Sequence, residues 1–223
     1  LCYATSKYPD KEFIYRGVIV SNGDVGYLGR KEKERVNHTG TNHGCIENIN
    51  GQWYVFYHRE TNGTDYSRQA CVEKIFIKDD GSIPQAELTS CGLNDGPLKA
   101  IGEFSATICC NLTNNKMPHG GNKAFKNLPM ITFDGKDRCL KNLRKKSIAR
   151  YKYFDFSNAT SIALTIRGNA LIKVSVDDEL IGKLSISSYS WKEKNLPLRS
   201  SKKKAVLSFE IEKGTADILS FHF

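Results

Sequence analysis

Residues 42–75 read NHGCIENINGQWYVFYHRETNGTDYSRQACVEKI, and the pattern of this stretch decides the fold class. An Asn-Gly pair, Asn50-Gly51, divides two β-rich runs. Both residues of so tight a turn must tolerate positive φ, so the pair predicts antiparallel pairing of 45–49 with 52–58. The next unit repeats the plan, with ACVEKIFI, KDDGS and IPQAEL placing Asp80-Gly81 at a second turn and predicting a second hairpin. Upstream, EFIYRGVIV supplies another β-branched and aromatic run, closed by the glycines of SNGDVGYLG. Nothing in 1–90 has helical periodicity.

Between 88 and 103 the character changes. LTSCGLNDGPLKAIGE holds three glycines, a proline and an Asn-Asp pair, which predicts a domain boundary near Ala100. Beyond it, SIALTIRGNALIKVSVDDELIGKLSI and AVLSFEIEKGTADILSFHF alternate with period two, placing Leu207, Phe209, Ile211 and then Leu219, Phe221, Phe223 on one side of their strands. The expected fold class is all-β, ending in an antiparallel β-sandwich.

Composition narrows the function. The 223 residues, 39% hydrophobic, are enough for one large or two medium domains. No apolar run approaches the roughly 18–20 residues that cross a bilayer as a helix, so no membrane partner is expected. The opening LCYATSKYPDKEF lacks the charged start and apolar core of a signal peptide and has no initiator Met, so something is expected to be missing upstream. The net charge of +9 is uneven: residues 1–100 hold 12 of the 33 Lys and Arg but 13 of the 24 Asp and Glu. The basic runs RKKSIARYK and SSKKKA come without a nucleic-acid motif, so a solvated face is expected, not a nucleic-acid partner. Seven cysteines without zinc-type spacing read as mostly free, buried thiols, which suit a bacterial cytoplasm more than secretion.

The quoted stretch, together with IPQAELTSCGLNDGPL, resembles the closing blades of a five-bladed β-propeller of glycoside hydrolase family 43, the β-xylosidase and α-L-arabinofuranosidase family. The second half resembles a family 6 carbohydrate-binding module through CCNL, KNLR, YKYFDF and KGTADILSFHF. The resemblance implies propeller blades over 1–100 and a β-sandwich over 101–223. It also implies part of an inverting glycosidase of xylose- and arabinose-containing polysaccharides or oligosaccharides, with a pentose-containing chain as ligand. A non-catalytic carbohydrate-binding or scaffolding fragment is the alternative.

Inversion needs two carboxyl groups about 6.5–9.5 Å apart. In the resembled family these lie on earlier blades; here Asp79, Asp80 and Asp95 fall in turns and Glu73 in a strand, so no catalytic carboxylate is assigned. About 100 residues make only about two blades of ~40–50 residues, so missing propeller blades, from the same protein or a second chain, are an expected partner.

The resemblance places His43 on the pocket floor as a substrate and metal residue, the metal being Ca2+. Calcium prefers oxygen, and the residues alone favour a hydrogen-bonded structural histidine. It places Arg68 on sugar hydroxyls, which five fixed guanidinium donors suit; a salt bridge within the blade is the other reading. Arg59, with His58, ends its strand and is expected at the pocket rim. Trp53, Tyr54, Phe56 and Tyr57 suit core packing better than sugar stacking. In the sandwich, relatives tend to continue N-x-R with Asp-Gly; Lys145 and Lys146 stand there instead, which disfavours a cation and leaves Tyr189 and Trp191 as stacking candidates.

Overall fold

The computed structural model describes residues 1–64, 66–120 and 127–223. Among them there is no α-helix; the regular structure is strands with a few short 3-10 turns. In the first part, β1 (Cys2–Thr5) and β2 (Ile14–Val18) form an antiparallel hairpin, and β3 (Gly44–Ile49), β4 (Gln52–Glu60) and β5 (Arg68–Ile75) form an antiparallel meander. Asn50 and Gly51 both take positive φ, 51° and 87°, as the Asn-Gly pair requires.

The second expected hairpin does not form. Lys78 N–H donates to Ser82 O at 2.9 Å and closes the turn, but β5 stops at Ile75, and 83–88 is not a strand. Its apolar residues turn inward: Ile83, Ala86 and Leu88 join Ile19, Val20, Val36, Val55, Tyr57 and Ile75 in one core. Tyr3 Oη accepts from Ile83 N–H at 2.7 Å and Ile19 O from Ala86 N–H at 2.7 Å, so the segment's backbone is satisfied by β1 and the chain after β2.

From Leu98 the chain enters a nine-stranded sheet. It comprises β6 (Leu98–Lys99), β7 (Glu103–Ser105), β8 (Asn111–Thr113), β9 (Met130–Asp134), β10 (Asp137–Arg144), β11 (Ile148–Asp155), β12 (Ser161–Val176), β13 (Glu179–Pro197) and β14 (Ala205–His222). The order is β13-β12-β14-β10-β9, and β14 also carries β11 and β7. Because β14 is shared so widely, the sheet folds on itself and encloses the core. An aromatic cluster of Phe104, Tyr151, Phe154, Phe156, Phe209, Phe221 and Phe223 fills it, with ring centroids 4.8–6.0 Å apart.

The inward set differs from simple alternation. Leu207, Phe209 and Ile211 are buried, then Ala216 and Ile218, then Phe221, while Leu219 is only partly covered. The ladder between β12 and β14 slips at Leu171/Ile172 and at Thr165/Ile166, and each extra residue reverses the facing side.

The seven cysteines are free, but only Cys109, Cys110 and Cys139 are buried, and Cys2 and Cys45 are exposed. At Lys146 φ is 74°, a left-handed conformation that favours glycine; Ser147 N–H to Arg144 O (2.7 Å) and Lys146 N–H to Ile211 O (2.9 Å) hold it there. Lys146→Gly should raise stability by about 0.5–1 kcal/mol in urea unfolding; an unchanged or lower midpoint would count against strain at this turn.

Candidate functional site

The antiparallel register of β3, β4 and β5 brings the start of β3, the end of β4 and the start of β5 to one end of the meander. Gly44 pairs with Tyr57, so His43 lies across from His58; Glu60 pairs with Arg68. Paired residues share a face, so His43, His58, Glu60 and Arg68 fall on one side. The His43 and His58 rings meet edge to face, with centroids 4.4 Å apart and an interplanar angle of 77°. Burial, then the neighbouring His43 ring and the Arg68 guanidinium, hold the His58 imidazole below its ordinary pKa, so near neutral pH it is uncharged and can accept one hydrogen bond and donate one.

Asn22 Nδ2 donates to His58 O (3.1 Å) and Asn42 Nδ2 to Asn22 Oδ1 (3.0 Å), fixing the strand end and the residue before His43. His43 and Arg68 are exposed on this face, as a pocket lining requires.

Arg59 does not reach a rim. It follows His58 and therefore points to the opposite face, where its guanidinium is buried against the sandwich. It donates to Gln69 Oε1 (3.1 Å), Thr107 O (3.3 Å) and Cys110 O (3.5 Å). Those acceptors use the donors that a sugar would need. Arg59 is a seam residue, and other bonds share the seam: Asn37 Nδ2 to Cys110 O (2.8 Å), Leu112 N–H to Asn37 Oδ1 (2.7 Å) and Ile131 N–H to Thr61 O (2.9 Å). Lys152 Nζ lies 2.9 Å from Glu87 Oε1, and Tyr153 Oη donates to Glu87 at 2.8 Å.

Glu73 also faces the seam. Its side chain accepts from Thr89 Oγ1 (2.6 Å), Thr89 N–H (2.8 Å) and Tyr57 Oη (3.2 Å), beside a cavity of about 270 Å³ lined by Tyr57, Arg59, Gln69 and Cys109. Burial pushes its carboxyl up to about 8. It stands on the face away from His43 and Arg68.

His43 has another imidazole as its ring neighbour, and among the described residues no three His, Cys, Asp or Glu side chains converge as ligands. In the sandwich, Trp191 is braced: Nε1 donates to Asp134 Oδ2 (3.0 Å), and the Arg167 guanidinium lies 4.3 Å from its ring centre. Tyr189 stands fully exposed.

No protein-family profile matches the chain. It is 45% identical over 213 residues to a xylosidase/arabinosidase of Thermoclostridium stercorarium, the match covering 86% of this chain and 44% of that protein. The chain thus spans less than half the length of this curated relative. A family 43 arabinoxylan arabinofuranohydrolase from Bacillus subtilis, crystallised with cellotetraose, superposes with a TM-score of 0.53 at 19% identity over all of this chain and 47% of that one. A family 6 carbohydrate-binding module from Clostridium stercorarium in complex with cellobiose aligns with 58% of the chain, with a TM-score of 0.47 and 17% identity. Over most of its length the chain is thus similar to one part of a xylosidase/arabinosidase, and it shares the all-β fold of the family 43 enzyme.

Proposed function

We propose that this chain is part of a glycoside hydrolase acting on xylose- and arabinose-containing polysaccharides or oligosaccharides, in which it supplies the Arg68 and His43 side of the sugar pocket. The observation that carries the reading is the convergence of His43, His58 and Arg68 on one accessible face of the blade, in a chain 45% identical to a xylosidase/arabinosidase.

The chemistry divides accordingly. Arg68 offers fixed N–H donors to vicinal hydroxyls, and neutral His58 one donor and one acceptor. Among the described residues no inverting pair of carboxyls about 6.5–9.5 Å apart stands on this face: Glu60 is held by Thr41, Glu47 pairs with Tyr54, six residues along β4 from Glu60, and Glu73 faces the seam. The acid and base therefore come from the remaining blades, and any calcium would draw its oxygen ligands from there too.

Open edges support that division. The meander has three strands where a propeller blade has four, and Phe13, Ile14 and Tyr15 of the β1–β2 hairpin are exposed. Between β1 and β3 runs a groove of about 390 Å³ lined by Leu1, Tyr3, Ile19, Ile46 and Ile83, a seat for strands of those blades. Exposed Tyr189 favours a second reading, in which the sandwich holds glycan without catalysis. Free thiols, two of them exposed, suit a reducing compartment.

The test is kinetic. With the remaining blades present, Arg68→Ala should lower kcat/KM on aryl arabinofuranoside or xyloside by about 1–3 kcal/mol of lost binding, about 5- to 150-fold, with Arg68→Lys between. Near wild-type rates for Arg68→Ala would show that the arginine only braces the blade.

A further inference from the structure

Glu60 ends β4 as a buried carboxylate on the His43 face. Its Oε1 accepts from Thr41 N–H (2.9 Å) and Thr41 Oγ1 (3.1 Å), and its Oε2 lies 3.4 Å from His38 Nδ1. Between His38 and Thr41, Gly40 passes so close that a Cβ there would fall on the Glu60 carboxylate. The segment 38–41 is therefore wrapped round one side chain, two residues before His43.

The same segment is gripped from its other side by the sandwich. Thr39 N–H donates to Pro118 O (3.2 Å), Gly120 N–H donates to Thr39 O (2.6 Å), and Thr39 Oγ1 lies 2.9 Å from His119 Nδ1. Thr41 Oγ1 also lies 3.5 Å from His58 Nε2, so the residue that Glu60 holds touches the ring packed on His43.

We propose that Glu60 is a positioning residue: by fixing 38–41 against the sandwich's 118–120 loop, it sets His43 against His58. The sandwich thereby acts on the site through Thr39 as well as standing beside it. An exposed carboxylate would suffice for solubility, and a hydrophobe would suffice for packing. A buried one saturated by a single loop is suited to holding that loop in one geometry, since two charge-assisted bonds and a neighbouring imidazole are lost together if the loop moves. The inference rests on the sugar-pocket reading only in its binding arm.

The experiment uses the intact protein labelled at histidine, at one pH, and reads the ring-to-ring nuclear Overhauser effect between His43 and His58, with His222 as a distant control of folding. Glu60→Ala should abolish the effect, Thr41→Val should at least halve it, and Glu60→Gln, which keeps an acceptor for Thr41 N–H, should retain it. Xylotriose affinity should fall about tenfold in Glu60→Ala, the equivalent of about 1.4 kcal/mol. A wild-type ring contact in folded Glu60→Ala overturns the proposal. Should that variant lose the His222 signal, Thr41→Val decides: an unchanged contact overturns, a weakened one supports. Loss of the ring contact with unaltered xylotriose affinity would uphold positioning and sink the pocket reading instead.

Discussion

Gly44→Ala is expected to destabilise the protein by about 3–5 kcal/mol, among the largest effects of any single methyl group in this chain. A Cβ built on Gly44 would coincide with the carbonyl oxygen of Phe56 and stand 2.9 Å from the Cα of Tyr57. Both obstacles are backbone of β4, the central strand of the meander, so neither can swing aside as a side-chain tip would. To admit the methyl group, β3 must part from β4 where Gly44 pairs with Tyr57, and His43 moves with it. Gly51→Ala is the proper control. It has nothing within 4 Å of its Cβ but a φ of +87°, so its cost is conformational alone, about 1 kcal/mol. Urea unfolding of both variants separates the two causes; a Gly44→Ala midpoint as high as that of Gly51→Ala would show that the strands yield more readily than their ladder implies.

The same hairpin shows what the sequence makes legible. Asn50-Gly51 specifies its turn locally, and register then follows by counting, which puts His43 across from His58 without any tertiary knowledge; Arg68 joins them only through the separate β4–β5 register. The second turn was equally readable as a turn, yet its return strand is missing, because Ile83, Ala86 and Leu88 gain more from the core beneath β5 than from a ladder beside it. Nothing local to KDDGS encodes that competition. Phase along β14 was illegible for a related reason: its bulges are defined by β12, a partner about 40 to 55 residues away, and each one exchanges the inward and outward sets.

Arg59 and Glu60 mark the same limit within the site. Adjacent in sequence, they point to opposite faces, and only the location of the sandwich makes one a seam residue and the other a clamp on 38–41. Period-two reasoning applied outward from His58 would have separated Arg59 from the pocket. The bond partners of Glu60 lie some 20 residues upstream in a segment with no regular period, and no pattern in the chain announces them.

Raising the pH from 6.5 to 8 is expected to cost the folded protein stability through Glu73. Three donors favour its carboxylate, Thr89 twice and Tyr57 once, but burial outweighs them and holds the carboxyl at about 8 in place of its ordinary 4.5. Below 4.5 the group is protonated both folded and unfolded, and its contribution is fully present. Between 4.5 and 8 the unfolded chain releases a proton that the native state keeps, so stability falls by about 1.4 kcal/mol per pH unit, levelling off above the folded pKa. Asp24, also raised chiefly by burial, adds a loss of the same sign. His38 and His58, depressed below 6.5 by burial, act oppositely as they neutralise in acid, which makes 6.5–8 the window in which Glu73 is read. Glu73→Gln keeps the shape and can accept from Thr89 N–H while donating to Thr89 Oγ1, so it should gain on the order of 2 kcal/mol over wild type between the two ends of that window. Urea midpoints measured across it, at constant ionic strength, decide the matter. Parallel pH profiles for Glu73→Gln and the wild type would mean that the carboxyl is ionised in the seam and that its three donors, not burial, govern it.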